Sequence, residues 1–224
     1  MNNLELNQNE KANLRFICKF TSVVFAIAKV ALYIAIVCLI FTASLTPSII
    51  SHTSVKNNEL IFKYDEDIMA VTFKNDKAIF KYNGEEKTSN KESKEVLSYY
   101  KDVLSEHSKS QIIALSESMI IVAVVELIFL SIIFKSLSKL FKNIAVQNTP
   151  FNDDNVECLS TIFKYMIPAF ILPLVETSAF VFAGFEDTIH VSYISIFSVV
   201  ISYVALKLFK YATLLQKESN KTIY

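Results

Sequence analysis

The stretch Lys139 to Leu159, KLFKNIAVQNTPFNDDNVECL, is a polar interruption between two strongly apolar runs. Pro150 cannot continue a helix, because it lacks an N–H and its ring crowds the carbonyl one turn back. Asn152 then stands where an N-cap side chain accepts a bond from an exposed backbone N–H. Asp153 and Asp154 fill the first turn, where the helix dipole favours negative charge. Phe151 and Val156 have the spacing of a hydrophobic staple. One helix is therefore expected to end in this stretch and another to begin, and capping explains most of its polar crowding without chemistry.

Outward from this turn the chain is apolar in both directions. Of its 224 residues 52% are hydrophobic and two are glycine, a composition that points to a helical membrane protein rather than a soluble domain. Four windows approach the ~20 residues that cross a ~30 Å hydrocarbon core. The predicted organisation is a segment 1–19, a first span 20–45, a polar domain 46–111, a second span 112–141, a loop 142–157, a third span 158–185, a short loop 186–189, a fourth span 190–211 and a tail 212–224. Lys11, Arg15, Lys19 and the small residues of TASL resemble a cleaved signal, but the apolar run exceeds a usual signal core, so a retained helix is expected.

Orientation follows the lysines. Lys11, Arg15 and Lys19 precede the first span, Lys135, Lys139 and Lys142 follow the second, and Lys207, Lys210, Lys217 and Lys221 follow the fourth. Four spans put all three clusters on one side, with both termini cytoplasmic and Glu186 and Asp187 in an external hairpin. The repeated KLFK, Lys139–Lys142 and Lys207–Lys210, reads as interfacial anchoring by lysines whose stems lie along apolar surface. Long loops translocate largely regardless of charge, so 46–111 becomes an extracytoplasmic insertion. Within it, ELIFKYDEDIMAVTFKNDKAIFKYNGEEK alternates at Val71, Phe73, Ile79, Phe80 and Tyr82, with turn signals at KNDK and Asn83-Gly84. Two or three short antiparallel strands are expected. Ser89 and Glu92 form a capping-box pattern, and Val96, Leu97, Tyr100, Val103 and Leu104 repeat at helical spacing. With no proline from there to Phe141, one helix is expected to run unbroken into the second span. The fold class is thus mainly α: a four-helix membrane bundle carrying a small α+β insertion between its first two helices.

The charge balance, 22 basic against 22 acidic residues with Arg15 the single arginine, gives no field or guanidinium pattern for nucleic acid. Cys18, Cys38 and Cys158 have no C-x-x-C spacing, and His52, His107 and His190 are scattered, so neither a disulfide framework nor a metal site is expected. No H-E-x-x-H, G-x-S-x-G or nucleotide-binding loop is present, so neither catalysis nor a cofactor is expected. Three ionisable residues fall inside the spans: Lys29, Glu126 and Glu176. Such groups usually face a bundle interior and are functional candidates by default, while pairing that fixes helix register is the plainer reading. Counted along the helices, both glutamates lie at similar depth and Lys29 about one turn nearer the cytoplasm, so a Lys–Glu pair is open. Pro168 and Pro173 permit a kink before Glu176. Ser195, Ser198 and Ser202 are candidates for hydrogen bonds between helices.

LFKNIAVQNTPFNDDNVECLSTIF, with LFKYATLLQKESNKTIY at the far end, resembles the bacterial membrane family known as domain of unknown function 2975. Leu140, Phe141, Asn143, Ile144, Pro150, Phe151, Asn155 and Leu159 fit its loop pattern, and Leu215, Gln216, Glu218, Thr222 and Ile223 fit its tail. A glycine usual before Pro150 is replaced around Asn148-Thr149, and Asn220 stands for the acid before the final threonine. The resemblance implies a multi-pass protein of the bacterial cell membrane and carries over no catalytic residue. Asn143, Pro150, Phe151, Asn155, Leu215, Gln216, Glu218 and Thr222 become a candidate contact motif for an unidentified protein partner or a second copy of the chain. The expected role is accessory, sensory or protective, through protein contacts. The alternative is a small transporter or ion-conducting subunit relaying charge through Lys29, Glu126 and Glu176.

Overall fold

The computed structural model describes residues 8–56, 59–64, 67–74, 77–82, 85–88, 91–147, 150–182 and 193–222. Among them the chain forms α1 (Gln8–His52), β1 (Thr53–Lys56), β2 (Glu59–Tyr64), β3 (Asp67–Lys74), β4 (Lys77–Tyr82), β5 (Glu85–Thr88), α2 (Lys91–Glu106), α3 (Lys109–Val146), α4 (Asp153–Phe182) and α5 (Tyr193–Thr222). The predicted turn at Asn83-Gly84, the middle of KNDK, the Ser89 cap, Asn148-Thr149, the loop 186–189 with Glu186 and Asp187, His190 and Ile223 lie outside the described residues. So do the side chains of Glu92, Val96, Leu97, Ser195 and Thr222. Two compact units divide the chain, one of residues 1–37 and 122–224, the other of residues 38–121.

In the second unit the sheet is a simple meander, ordered β1-β2-β3-β4-β5 with every pair antiparallel. Register lines up Leu60 with Val71 and Val71 with Phe80, so period-2 alternation delivers one apolar face. Leu60, Val71 and Ala78 are its closed centre, with Val55, Phe62, Phe80 and Leu104 packed around them. Leu104 comes from α2, which lies against β4 and β1 and so covers that face. The opposite face is open, as Ile68 at 51% exposure shows. Five strands replace the two or three expected. The extra pair, TSVK and EEKT, are short polar edge strands held by the backbone ladder, and β5 is exposed along its whole length.

Two helix boundaries also differ from expectation. Helix α1 passes through Pro47 to His52, since one proline removes only one helical hydrogen bond and the chain stays helical on both sides. The helix expected to run from about 90 into the second span is broken between Glu106 and Lys109. His107 N still closes onto Val103 O (3.0 Å), and then Ser108 starts a new helix. Ser108 N and Oγ both donate to Gln111 Oε1 (3.0 and 2.9 Å), while Gln111 N reaches Ser108 Oγ (3.4 Å). This S-x-x-Q capping box satisfies donors reciprocally and needs no proline.

In the first unit Ile133 and Leu140 of α3, Cys158, Leu159 and Ile162 of α4, and Leu206 of α5 form one buried cluster. Rings continue the packing: Phe129 on Tyr165 and Phe163 on Tyr203. Helix α1 joins α3 by a reciprocal serine pair. Ser22 Oγ donates to Ser138 O and Ser138 Oγ to Ser22 O, both at 2.9 Å, with the hydroxyls 3.1 Å apart. Phe25 lies between Phe134 and Phe141, stacked on the latter at 5.8 Å. Of the α5 serines, Ser202 directs its Oγ back to Val199 O in its own helix.

Leu60→Ala should destabilise the sheet by about 2–5 kcal/mol through lost burial and the cavity left behind. Ile68→Ala, on the open face, should stay within about 0.5 kcal/mol. Limited proteolysis of the full chain in detergent, read at residues 53–106, measures both.

Candidate functional site

The residues singled out around Pro150 do converge. Asn152 caps α4: its carbonyl accepts from Val156 N (3.1 Å) and its Oδ1 from Asn155 N (2.9 Å). Asn152 Nδ2 in turn donates to Gln147 Oε1. Asn155 follows three residues after the cap and is 0% exposed. Its Nδ2 donates to Pro150 O (2.8 Å), and its Oδ1 accepts from Asn143 Nδ2 (3.1 Å). The amide orientation follows from chemistry, since a carbonyl oxygen can only accept. One side chain thus ties the end of α3, the proline turn and the start of α4 together.

The end of α5 meets the same place. Lys217 Nζ donates to both carboxylate oxygens of Asp153, at 2.9 and 2.8 Å. Phe151 packs edge-on against Phe209 at 5.2 Å, so its ring serves the α4–α5 contact as well as any staple with Val156. Phe209, Thr213 and Lys217 recur every four residues, placing them on one stripe of the helix. Thr213, between the two contacts, is 4% exposed, and its Oγ1 has no hydrogen-bond partner among the described residues. Sequence reasoning did not reach Thr213; its signal is the i−4, i+4 spacing to Phe209 and Lys217. The tail expected as a separate segment from 212 is the last part of α5. In it Leu215 and Glu218 are exposed and Gln216 is half-buried.

The three intramembrane ionisable residues lie on three helices, Lys29 on α1, Glu126 on α3 and Glu176 on α4. Lys29 Nζ lies 5.9 Å over the ring of Tyr33, one turn along its own helix. No ion pair among the described residues joins Lys29 to Glu126 or Glu176, which are both half-buried, on α3 and α4. Helix α4 continues through Pro168 and Pro173. Among the described residues no three of His, Cys, Asp and Glu converge as metal ligands would.

Four helices are long and apolar enough to cross a membrane: Glu10–His52, Lys109–Val146, Asp153–Val181 and Ile196–Ser219. Helix α1 is the clearest, with Phe16, Phe20, Ile27, Ile34, Val37 and Phe41 each more than 55% exposed. Apolar surface on this scale suits hydrocarbon and not water. The class is that of a multi-pass membrane protein. Within it, residues 79–223 match the model of the family described as a protein of unknown function, DUF2975, and the chain belongs to that family. No match was found among curated proteins or among solved structures.

Asn155→Ala should lower stability by about 1–3 kcal/mol, because it strands the Asn143 amide and the Pro150 carbonyl in a closed site. Lys217→Ala should cost less than about 1 kcal/mol and lose that effect in high salt, since its ion pair is exposed. Thr213→Val, which removes an unpartnered hydroxyl at nearly constant shape, should be neutral or stabilising. Thermal unfolding of the full chain in detergent ranks the three.

Proposed function

We propose that this chain is a non-enzymatic accessory protein of the bacterial cell membrane, with a sensory, regulatory or protective, immunity-like role exercised through protein contacts. The observation that supports this most is the joining of residues 150–155, at the start of α4, to the end of α5. Asn155, Asp153–Lys217 and Phe151–Phe209 make a fixed platform out of segments that would otherwise be a connector and a tail. Its rim offers exposed Val146, Phe151 and Leu215 beside charged Asp153, Lys217 and Glu218. Apolar anchors ringed by polar groups are what protein contacts use.

The lysine clusters support an orientation with both termini and this platform in the cytoplasm and residues 53–106 outside. Lys142 and Lys210, in the two KLFK repeats, fit as interfacial cations, and Lys207 lies 5.4 Å over Tyr203. An ion-conducting role for Lys29, Glu126 and Glu176 is the competing reading. It draws support from two half-buried carboxylates in apolar helices.

Affinity purification from native membranes, comparing the full chain with the triple variant Leu215→Ala, Gln216→Ala, Glu218→Ala, tests the contact role. A partner or second copy captured by the former and lost from the latter is expected; identical recovery contradicts the assignment to the platform. In proteoliposomes no ion flux is expected, whereas flux abolished by Glu126→Gln and Glu176→Gln would establish the competing reading.

A further inference from the structure

A cleft of about 410 Å³ opens in the second unit, lined by Ser51, His52, Thr53, Ser54, Lys63 and Lys109. It lies where α1 ends, β1 begins and α3 begins. Thr53 pairs with Phe62 in the β1–β2 ladder, and the same register carries Lys63 one step further, opposite His52. Lys109 is the first residue of α3, where the helix dipole adds positive character. Its ammonium is held in place by donating to Ser51 O at 2.8 Å, which leaves two of its three donors for another acceptor. His52 Nδ1 reaches Ser48 O at 2.7 Å; a carbonyl only accepts, so the proton is on Nδ1. Ser51 Oγ and Thr53 Oγ1 return to helix carbonyls. Lys63 Nζ and Ser54 Oγ have no hydrogen-bond or ion-pair partner among the described residues. Among the described residues no carboxylate lines the cleft.

Two cations, one anchored and one with no partner among the described residues, together with a spare hydroxyl and no acid among the described lining, define an acceptor-seeking site. The position sharpens the chemistry. Ile49 and Ile50 are the last apolar residues of α1, and Ile112 and Ile113 the first of α3. Where both helices cross a bilayer, the cleft lies at the level at which lipid phosphates sit.

We propose that this cleft binds a phosphate-bearing anion, with Lys63 and Lys109 as its charge partners and Ser54 as a hydroxyl donor. Compact ammonium groups bind phosphate as point charges, and basic recesses beside spanning helices take lipid head groups. The same chemistry is offered by the phosphodiester of an anionic lipid and by a soluble phosphate ester. The inference is independent of the contact platform on the other unit, so either can fail alone.

The full chain is reconstituted in nanodiscs of pure phosphatidylcholine and in nanodiscs containing phosphatidylglycerol. Retained lipid is counted by native mass spectrometry, and binding of soluble glycerol phosphate is titrated in the phosphatidylcholine discs. Wild type should enrich phosphatidylglycerol, bind glycerol phosphate, or both; enrichment without soluble binding identifies lipid as the source, and soluble binding alone a free ester. Each of Lys63→Gln and Lys109→Gln should weaken binding about fivefold and the pair about thirtyfold. Lys63→Arg with Lys109→Arg should retain it, and Lys81→Gln with Lys87→Gln, which removes equal charge elsewhere on the sheet, should leave it unchanged. All four positions are exposed, so unfolding does not confuse the comparison. Binding to neither probe, or equal loss in the Lys81/Lys87 variant, overturns the proposal.

Discussion

A primary amide sealed from solvent must find its partners inside the protein or not be buried at all. Asn155 meets that constraint with Pro150 O on one side and Asn143 Nδ2 on the other. Because both partners must be present at once, Pro150 and the first turn of α4 are tied to the end of α3, and α4 leaves in one direction. That direction carries Cys158, Leu159 and Ile162 onto Ile133, Leu140 and Leu206, the buried cluster of the unit. The contacts of α5 with the turn, Phe209 on Phe151 and Lys217 on Asp153, then act on a surface already fixed.

The spanning helices answer a related constraint in a different way. Hydrocarbon offers no hydrogen bonds, so polar side chains must be satisfied within the protein. Most hydroxyls return to a carbonyl of the preceding turn: Thr42 to Cys38, Thr46 to Thr42, Ser131 to Ile128, Thr177 to Pro173 and Ser178 to Leu174. Ser22 and Ser138 instead cross between helices, each donating to the other's carbonyl. Small side chains permit that approach, and Phe25 fills the space beside it. Elsewhere α1 exposes a large apolar surface, for which lipid is the fitting medium.

What could be read from sequence follows how local each signal is. The N-cap at Asn152 and the acidic first turn depend on neighbours in the chain, and they are found as expected. The four apolar runs are equally local. The break before α3 is also local, but it is made by the capping box of Ser108 and Gln111 with no proline to mark it. Strand β5 carries no apolar alternation to read and β1 has only Val55 facing the core, so their place is set largely by ladder bonds to β2 and β4. Asn155 illustrates the less local case: its place in the first turn of α4 is legible, but its closure between Asn143 of α3 and Pro150 O is not. Lys29 illustrates another, since depth along a helix is legible but azimuth is not; its ammonium turns to Tyr33 rather than to a carboxylate.

Asn155 ties the end of α3 to the start of α4, on which the end of α5 rests through Asp153 and Phe151. Spin labels at Val146→Cys and Leu214→Cys, both exposed positions, report on it directly once Cys38, the exposed native cysteine, is replaced by alanine. Pulsed electron resonance of the full chain in lipid should give one narrow distance distribution, and Asn155→Ala should broaden it while Lys217→Ala leaves it narrow. A distribution that stays equally narrow without the Asn155 amide would contradict the account.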